Sequence, residues 1–205
     1  MKTIYYWSPF ITPVATTKAV INSAYAVKLY SKKKYEPFII NVAGEWDIYK
    51  RDLENKKIKL IELTSSKIIN NKKTTGFMKS RLLYIYIFFI ALVPLIRLLR
   101  NNPPSFFIIH LISPLPLLIN YLLKINTKMI LRISGLPKLN YLRKCLWQTT
   151  LKKIYHLTCP TKATKHDMQV QGIIEKNKID VLYDPIISPK NIINNLKVSN
   201  NNLKD

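Results

Sequence analysis

This sequence predicts an α/β fold: an open, mainly parallel sheet with helices on both faces. Three observations carry that expectation. Strand-like runs and helical-period segments alternate at least five times along the chain. The strand-like runs are on the whole apolar rather than alternating, as expected of strands covered on both faces. Finally, 205 residues with 48% apolar side chains are enough for one domain with a buried core, which excludes a disordered or fibrous chain.

Residues 2–7 (KTIYYW) form the first strand, stopped by Ser8-Pro9. A long helix follows, because Val14, Ala15, Ala19, Ile21, Tyr25, Ala26 and Leu29 recur at helical spacing. Thr12 caps its start, Pro13 suits the first turn, and Lys32 to Lys34 favour the dipole in the last turn. EPFIINV and KIKLIEL (Lys57 to Leu63) are the second and third strands. Leu82–Leu99 is apolar on every face until Arg97, and Asn101 to Pro104 break it. FFIIHL then reads as a buried strand, SPLPLLINYLLK as a helix with proline near its start, and TKMILRI as a strand. Pro137 to Lys153 is an amphipathic helix, YHLTCP a strand, TKATKHDMQVQGI a helix and KIDVLYDP the closing strand. From Ser188 the chain is Asn/Lys-rich and weakly patterned. The expected organisation is one domain over 1–187 and a linker-like tail over 188–205.

Net charge is +22, yet 27 of the 33 basic residues are Lys, and 29 Ile and 17 Asn accompany them. That joint rise marks an AT-rich coding sequence, whereas selection for phosphate contacts favours Arg. The lysines are scattered and no nucleic-acid partner is expected. A solvated surface and a patch that holds the protein on anionic lipid both remain open. Two cysteines, Cys145 and Cys159, make no disulfide framework, and the N-terminus has no signal-peptide pattern, so a cytoplasmic setting is expected. Leu82–Leu99 and Phe106–Leu123 raise a transmembrane hairpin over 82–123. Pro94, Arg97, His110, Pro114, Pro116 and Asn120 speak against it. The first segment, flanked by Lys79, Arg81, Arg97 and Arg100, also reads as a helix that is buried or dips into a membrane interface.

In such a sheet, ligands bind at the carboxyl ends of the strands, where the strand order reverses. After the first strand, Thr16, Thr17 and Lys18 with the following helix N-terminus can hold an anion, although the loop has no glycine and reads equally as a plain cap. After the second, Glu45 and Trp46 pair a carboxylate with an aromatic face suited to a sugar, or form a turn with one anchoring Trp. The fourth ends in His110, which can exchange a proton, bind a ligand hydroxyl or be structural. After the fifth, Arg132 can clamp a phosphate or carboxylate, with Ser134 beside it, and Gly135 allows close backbone approach. No metal-ligand spacing is present, and no GxSxG, Walker or HExxH motif.

Ser8-Pro9 with its long first helix, PPSFFIIHL, MILRISGLPKLNYLRKCLW and KIDVLYDPII together resemble one family. It is the N-terminal, acceptor-side domain of bacterial family-4 glycosyltransferases of the GT-B fold, which build lipopolysaccharide or capsule sugars. The resemblance runs from about Lys2 to Ile187 and implies one Rossmann-like half of a two-domain enzyme. It implies that His110 is the catalytic histidine near the reacting sugar. It also implies that Arg132, Ser134 and Gly135 lie on the acceptor side, where Glu45 and Trp46, read from their residue types, are expected as well. Thr16, Thr17 and Lys18 stand where the family has glycines near the donor phosphates, and those glycines are missing here. In the family, a C-terminal domain binds the nucleotide sugar and carries a glutamate pair. That domain is not in these residues, so the chain alone is expected to bind no cofactor and to turn over poorly. The implied partners are the nucleotide-sugar domain, in the same gene or a separate chain, a glycan or lipid-linked acceptor, and an anionic membrane surface. The implied location is peripheral, at the inner face of the cytoplasmic membrane. The alternatives are a non-catalytic glycan- or lipid-binding module and a small membrane protein.

Overall fold

The computed structural model describes residues 1–69, 77–111, 113–123, 125–137 and 140–183; the tail expected over 188–205 lies outside them. Its strands are β1 (Lys2–Trp7), β2 (Tyr35–Asn41), β3 (Lys59–Glu62), β4 (Phe106–Ile109), β5 (Lys128–Arg132), β6 (His156–Cys159) and β7 (Ile179–Val181). Its helices are α1 (Ala15–Tyr30), α2 (Lys50–Asn55), α3 (Phe77–Asn101), α4 (Pro114–Leu123), α5 (Tyr141–Leu151) and α6 (Lys162–Val170). All seven strands run parallel in one sheet, in the order β3-β2-β1-β4-β5-β6-β7.

The sheet separates two cores. Right-handed crossovers put connections that step toward β3 on one face and those that step toward β7 on the other. Side-chain alternation along β1 shows both faces. Ile4 and Tyr6 pack with Val20, Ile21 and Ala24 of α1 and Leu53 of α2. Tyr5 and Trp7 belong to the larger cluster, with Ile87 and Leu95 of α3, Leu115 of α4, Leu151 of α5 and Met168 of α6. The doubly wound expectation is therefore met, with two helices on one face and four on the other among the described residues.

Several boundaries differ from the sequence reading. Helix α1 begins at Ala15, not beside Thr12: Val14 is the extended cap residue, and no side chain caps it. Pro13 leaves its predecessor extended and so delays the first turn. The helix also ends at Tyr30, with Lys28 in its last turn. Lys32 and Lys33 lie past it with φ of 49° and 63°, a left-handed turn made without glycine. Sequence patterning missed α2 entirely, since KRDLEN has one buried residue, Leu53. Phe106–Leu123 is not a second span: its first part is β4, hydrogen-bonded between β1 and β5, and its second is the ten-residue α4. The hairpin reading of 82–123 fails on that topology.

Helix α3 has two unlike faces. Ile87, Ala91, Leu95 and Leu99, each four residues apart, are buried against the sheet. Met78, Leu82, Ile85, Phe89 and Val93 are exposed on the other side. Pro94 sits inside the helix, where the lost N–H bond is tolerated because the flanking face is anchored. Leu95→Ala is expected to cost about 2–5 kcal/mol in urea unfolding, the range for a buried leucine cavity. Phe89→Ala should stay within about 0.5 kcal/mol, as surface substitutions do.

Candidate functional site

The strand order reverses between β1 and β4, so the crevice at their carboxyl ends is where an open sheet of this kind binds ligands. Trp7 of β1 pairs with Ile109 of β4, and Ile109 pairs with Leu131 of β5. One residue further along each strand stand Ser8, His110 and Arg132, a row across three neighbouring strands. The His110 N–H still donates to the Trp7 carbonyl at 2.9 Å, so the ladder holds this row in place. By alternation the three side chains share the face of Tyr6. The His110 ring stacks on Tyr6 with centroids 6.3 Å apart and planes at 26°.

The row is dry. Ser8 is fully buried, and His110 and Arg132 are more than nine-tenths buried. Arg132 donates to the carbonyl of Leu182, just past β7, at 3.1 Å, which orients the guanidinium. Burial drives the His110 pKa down to about 3, and the positive charge of Arg132 adds to the effect. Its imidazole is therefore neutral at physiological pH and acts as a hydrogen-bonding group rather than a cation. Burial also raises Tyr6 to about 12, and its hydroxyl lies 3.1 Å from Ser23 Oγ. Neither Ser8 Oγ nor His110 Nε2 has a hydrogen-bond partner among the described residues. A buried polar group left unmatched costs about 1–3 kcal/mol, a cost that a hydroxylated ligand would offset.

The loop after β2 takes the second of its two sequence readings, a turn with one anchoring Trp. Glu45 is buried and turns back on its own loop, its two carboxylate oxygens accepting from the N–H of Val42 at 3.0 Å and of Ala43 at 2.7 Å. Burial pushes its pKa up to about 7 against those hydrogen bonds. Trp46 is also fully buried, edge-on to Phe10 with centroids 5.1 Å apart, so neither ring face meets solvent, while its Nε1 has no partner among the described residues. Asn41 at the end of β2 fixes the loop: its amide donates to Asp47 and Glu62, and its oxygen accepts from the Trp46 N–H. Gly44 takes φ +86°, and a Cβ there would meet Lys67 Cδ at 3.0 Å.

Of the first-strand loop, Thr17 is buried with its hydroxyl donating to the Val14 carbonyl at 2.7 Å, Thr16 is half-buried and Lys18 is exposed. Ser134 and Gly135 are exposed beyond β5, and a Cβ on Gly135 would meet nothing within 4 Å. The structure thus brings His110 and Arg132 together and separates them from the Glu45–Trp46 turn, which is packed inside. In sequence Ser8 reads as the stop of the first strand and part of the family-like Ser8-Pro9 segment, not as a site residue. No group of three His, Cys, Asp or Glu side chains is placed to hold a metal among the described residues. Two open clefts of about 450 and 440 Å³ lie elsewhere, one lined by Gln148, Gly172 and Lys178, the other at the amino edge of the sheet by Lys2, Tyr35 and Lys128. Neither is at the carboxyl ends of the strands where the order reverses, the second lying at the amino ends of β1 and β4, so the row is the candidate site.

No family model matches the chain, and no curated protein matches it in sequence. Solved structures do match its fold. A glycosyltransferase from Rickettsia africae superposes with a TM-score of 0.62 at 16% identity, covering 97% of this chain and 49% of that one. UDP-GlcNAc 2-epimerase from Neisseria meningitidis, bound to UDP-GlcNAc, gives 0.59 at 13% identity, covering 91% and 47%. The lipopolysaccharide outer core galactosyltransferase WaaB, in its apo form, gives 0.56 at 15% identity, covering 90% and 46%. The chain therefore spans about half the length of GT-B glycosyltransferases and epimerases and shares the Rossmann-like fold of that half.

The two buried titrating groups oppose one another with pH. The folded-state pKa of His110 is depressed, so its contribution is full above about 6.5 and is lost as pH falls toward 3. Glu45 is raised, so its contribution is full below about 4.5 and is lost as pH rises toward 7. His110→Gln should gain stability relative to the parent at pH 5 compared with pH 7.5, by about 2 kcal/mol, in denaturant titrations at the two pH values. An equal effect at both would mean that His110 titrates normally.

Proposed function

We propose that this chain is the N-terminal, acceptor-binding half of a family-4 type glycosyltransferase. It would act in hexosyl transfer from a nucleotide sugar to a cell-envelope glycan or lipid-linked acceptor. The observation that carries the reading is the Ser8–His110–Arg132 row, buried at the reversal of strand order in a fold shared with half of GT-B transferases. Transfer forms a bond from an acceptor oxygen to the anomeric carbon and breaks the bond from that carbon to phosphate. The acceptor proton leaves to a base or to water, and the nucleotide diphosphate departs with the negative charge.

The residues of this chain would serve that step by holding and by electrostatics. Neutral His110 accepts from, or donates to, a sugar hydroxyl through Nε2, and Ser8 Oγ offers a second hydrogen bond. Arg132 and the amino end of α1, with Thr16, Thr17 and Lys18 in its first turn, favour negative charge developing above the strand ends. The loop of Ser134 and Gly135, open to solvent, admits the acceptor. The nucleotide sugar would be held by the second domain, in the same protein or a separate chain.

The test uses the protein as its native cell makes it, with whatever co-purifies, and follows labelled sugar from nucleotide sugars into lipid and glycan extracts. Transfer is expected, and His110→Ala should lower kcat/KM by about 100-fold, equal to about 2.7 kcal/mol of transition-state stabilisation, with unchanged near-ultraviolet circular dichroism. Transfer unaffected by the substitution would remove His110 from the site. Acceptor-independent epimerisation of UDP-GlcNAc would replace the transferase reading.

A further inference from the structure

We infer that the outward face of α3 is a docking surface for an anionic lipid bilayer, on which the helix lies flat without crossing. Ser80–Asn101 has the length and mean hydropathy, 2.4, of a membrane span, yet only 22% of its most apolar window is buried in the fold. The uncovered part is continuous. Met78, Leu82, Ile85, Phe89 and Val93 recur at three- and four-residue steps along one side, and Phe89 is 66% exposed. No Asp or Glu occurs in α3, while Arg81 lies at one end of the stripe and Arg97 and Arg100 at the other, all exposed. An apolar stripe bracketed by cations, on a protein of charge +22, fits a surface that is apolar inside and negative at its headgroups.

Geometry and charge speak against two other arrangements, a helix that crosses the bilayer and a second copy packed antiparallel. A crossing helix would have to withdraw Ile87, Ala91, Leu95 and Leu99 from the core beneath, leaving Trp7, Phe107 and Ile109 uncovered. A second copy docked antiparallel would set Arg81 against the Arg97 and Arg100 of the first, with no carboxylate on either helix between them. Lying flat, α3 keeps its inner face on the sheet and gives only its outer face to lipid. Its amino end follows β3 and therefore stands at the carboxyl edge of the sheet, the edge that carries the His110 row. The inference deepens the proposed function by naming the surface from which a lipid-linked acceptor would reach that edge.

Sedimentation with vesicles tests it without any sugar transfer, so its failure and that of the transferase reading are separate results. The full chain is expected to bind vesicles of equal phosphatidylglycerol and phosphatidylcholine, and pure phosphatidylcholine at least tenfold less. Ile85→Ser with Phe89→Ser, both at exposed positions, should lower binding at least tenfold at unchanged thermal midpoint. Arg97→Gln with Arg100→Gln should weaken binding and its dependence on salt. Binding that survives the serine pair would overturn the assignment. So would retention on native membranes through carbonate washing at pH 11, which means a crossing helix, or a dimer in light scattering that the serine pair dissolves.

Discussion

The pairing of β1 with β4 is the constraint on which the rest of this structure depends. β1 is the first strand of the chain yet an inner strand of the sheet, and its Tyr6 and Trp7 are fully buried on opposite faces. Because the chain leaves β1 toward β2 and returns past it to β4, the right-handed rule sends α1 and α3 to opposite sides. The same reversal opens the crevice at the strand ends. Cores, crossover helix and candidate site thus follow from one choice of neighbour. The ladder bond from His110 to Trp7 is that choice continued by one residue into the site.

Near this crevice the polar groups divide into those the fold consumes and those it leaves available. Asn41 and Glu45 are consumed: their side chains replace missing backbone partners and hold the turn after β2 in shape. That turn then seats Trp46 against Phe10, and Phe10 follows Ser8-Pro9, so the order of one loop supports the order of the next. Ser8 and His110 are left with unmatched atoms. Trp46 Nε1 and Thr127 Oγ1 are unmatched as well, but Ser8 and His110 are the pair that stand side by side at the carboxyl ends of neighbouring strands.

The fold was legible in sequence because parallel strands buried on both faces are written as unbroken apolar runs, and FFIIHL and TKMILRI could be little else. α2 was not legible, since a short helix with only Leu53 buried leaves no period to read. At the site, His110 and Arg132 could be placed because each ends a recognisable strand. Their adjacency could not, because it depends on the register of β1, β4 and β5. Glu45 and Trp46 left two readings open in sequence, a sugar-binding pair or a turn with one anchoring Trp, for a related reason. The residue types that recognise a sugar are the same types that cap and anchor a tight turn, and only burial separates the two uses. α3 showed the opposite limit: apolar on every face in sequence, it divides into a buried and an exposed stripe only once the sheet beneath it exists.

That last dependence bears on how the protein is made. Of the side chains that share a core with the inner stripe of α3, Tyr5, Trp7, Ile40 and Val42 precede the helix, while Phe107, Ile109, Met129 and Leu131 come later in the chain. At about 5–20 residues per second, the roughly 80 residues between the end of α3 and the end of β7 take on the order of ten seconds to synthesise. For that interval the nascent chain carries a span-length apolar segment whose inner face has only part of its core partners. Apolar surface exposed in this way during synthesis is what chaperones shield, until the later strands complete the cover over the same helix.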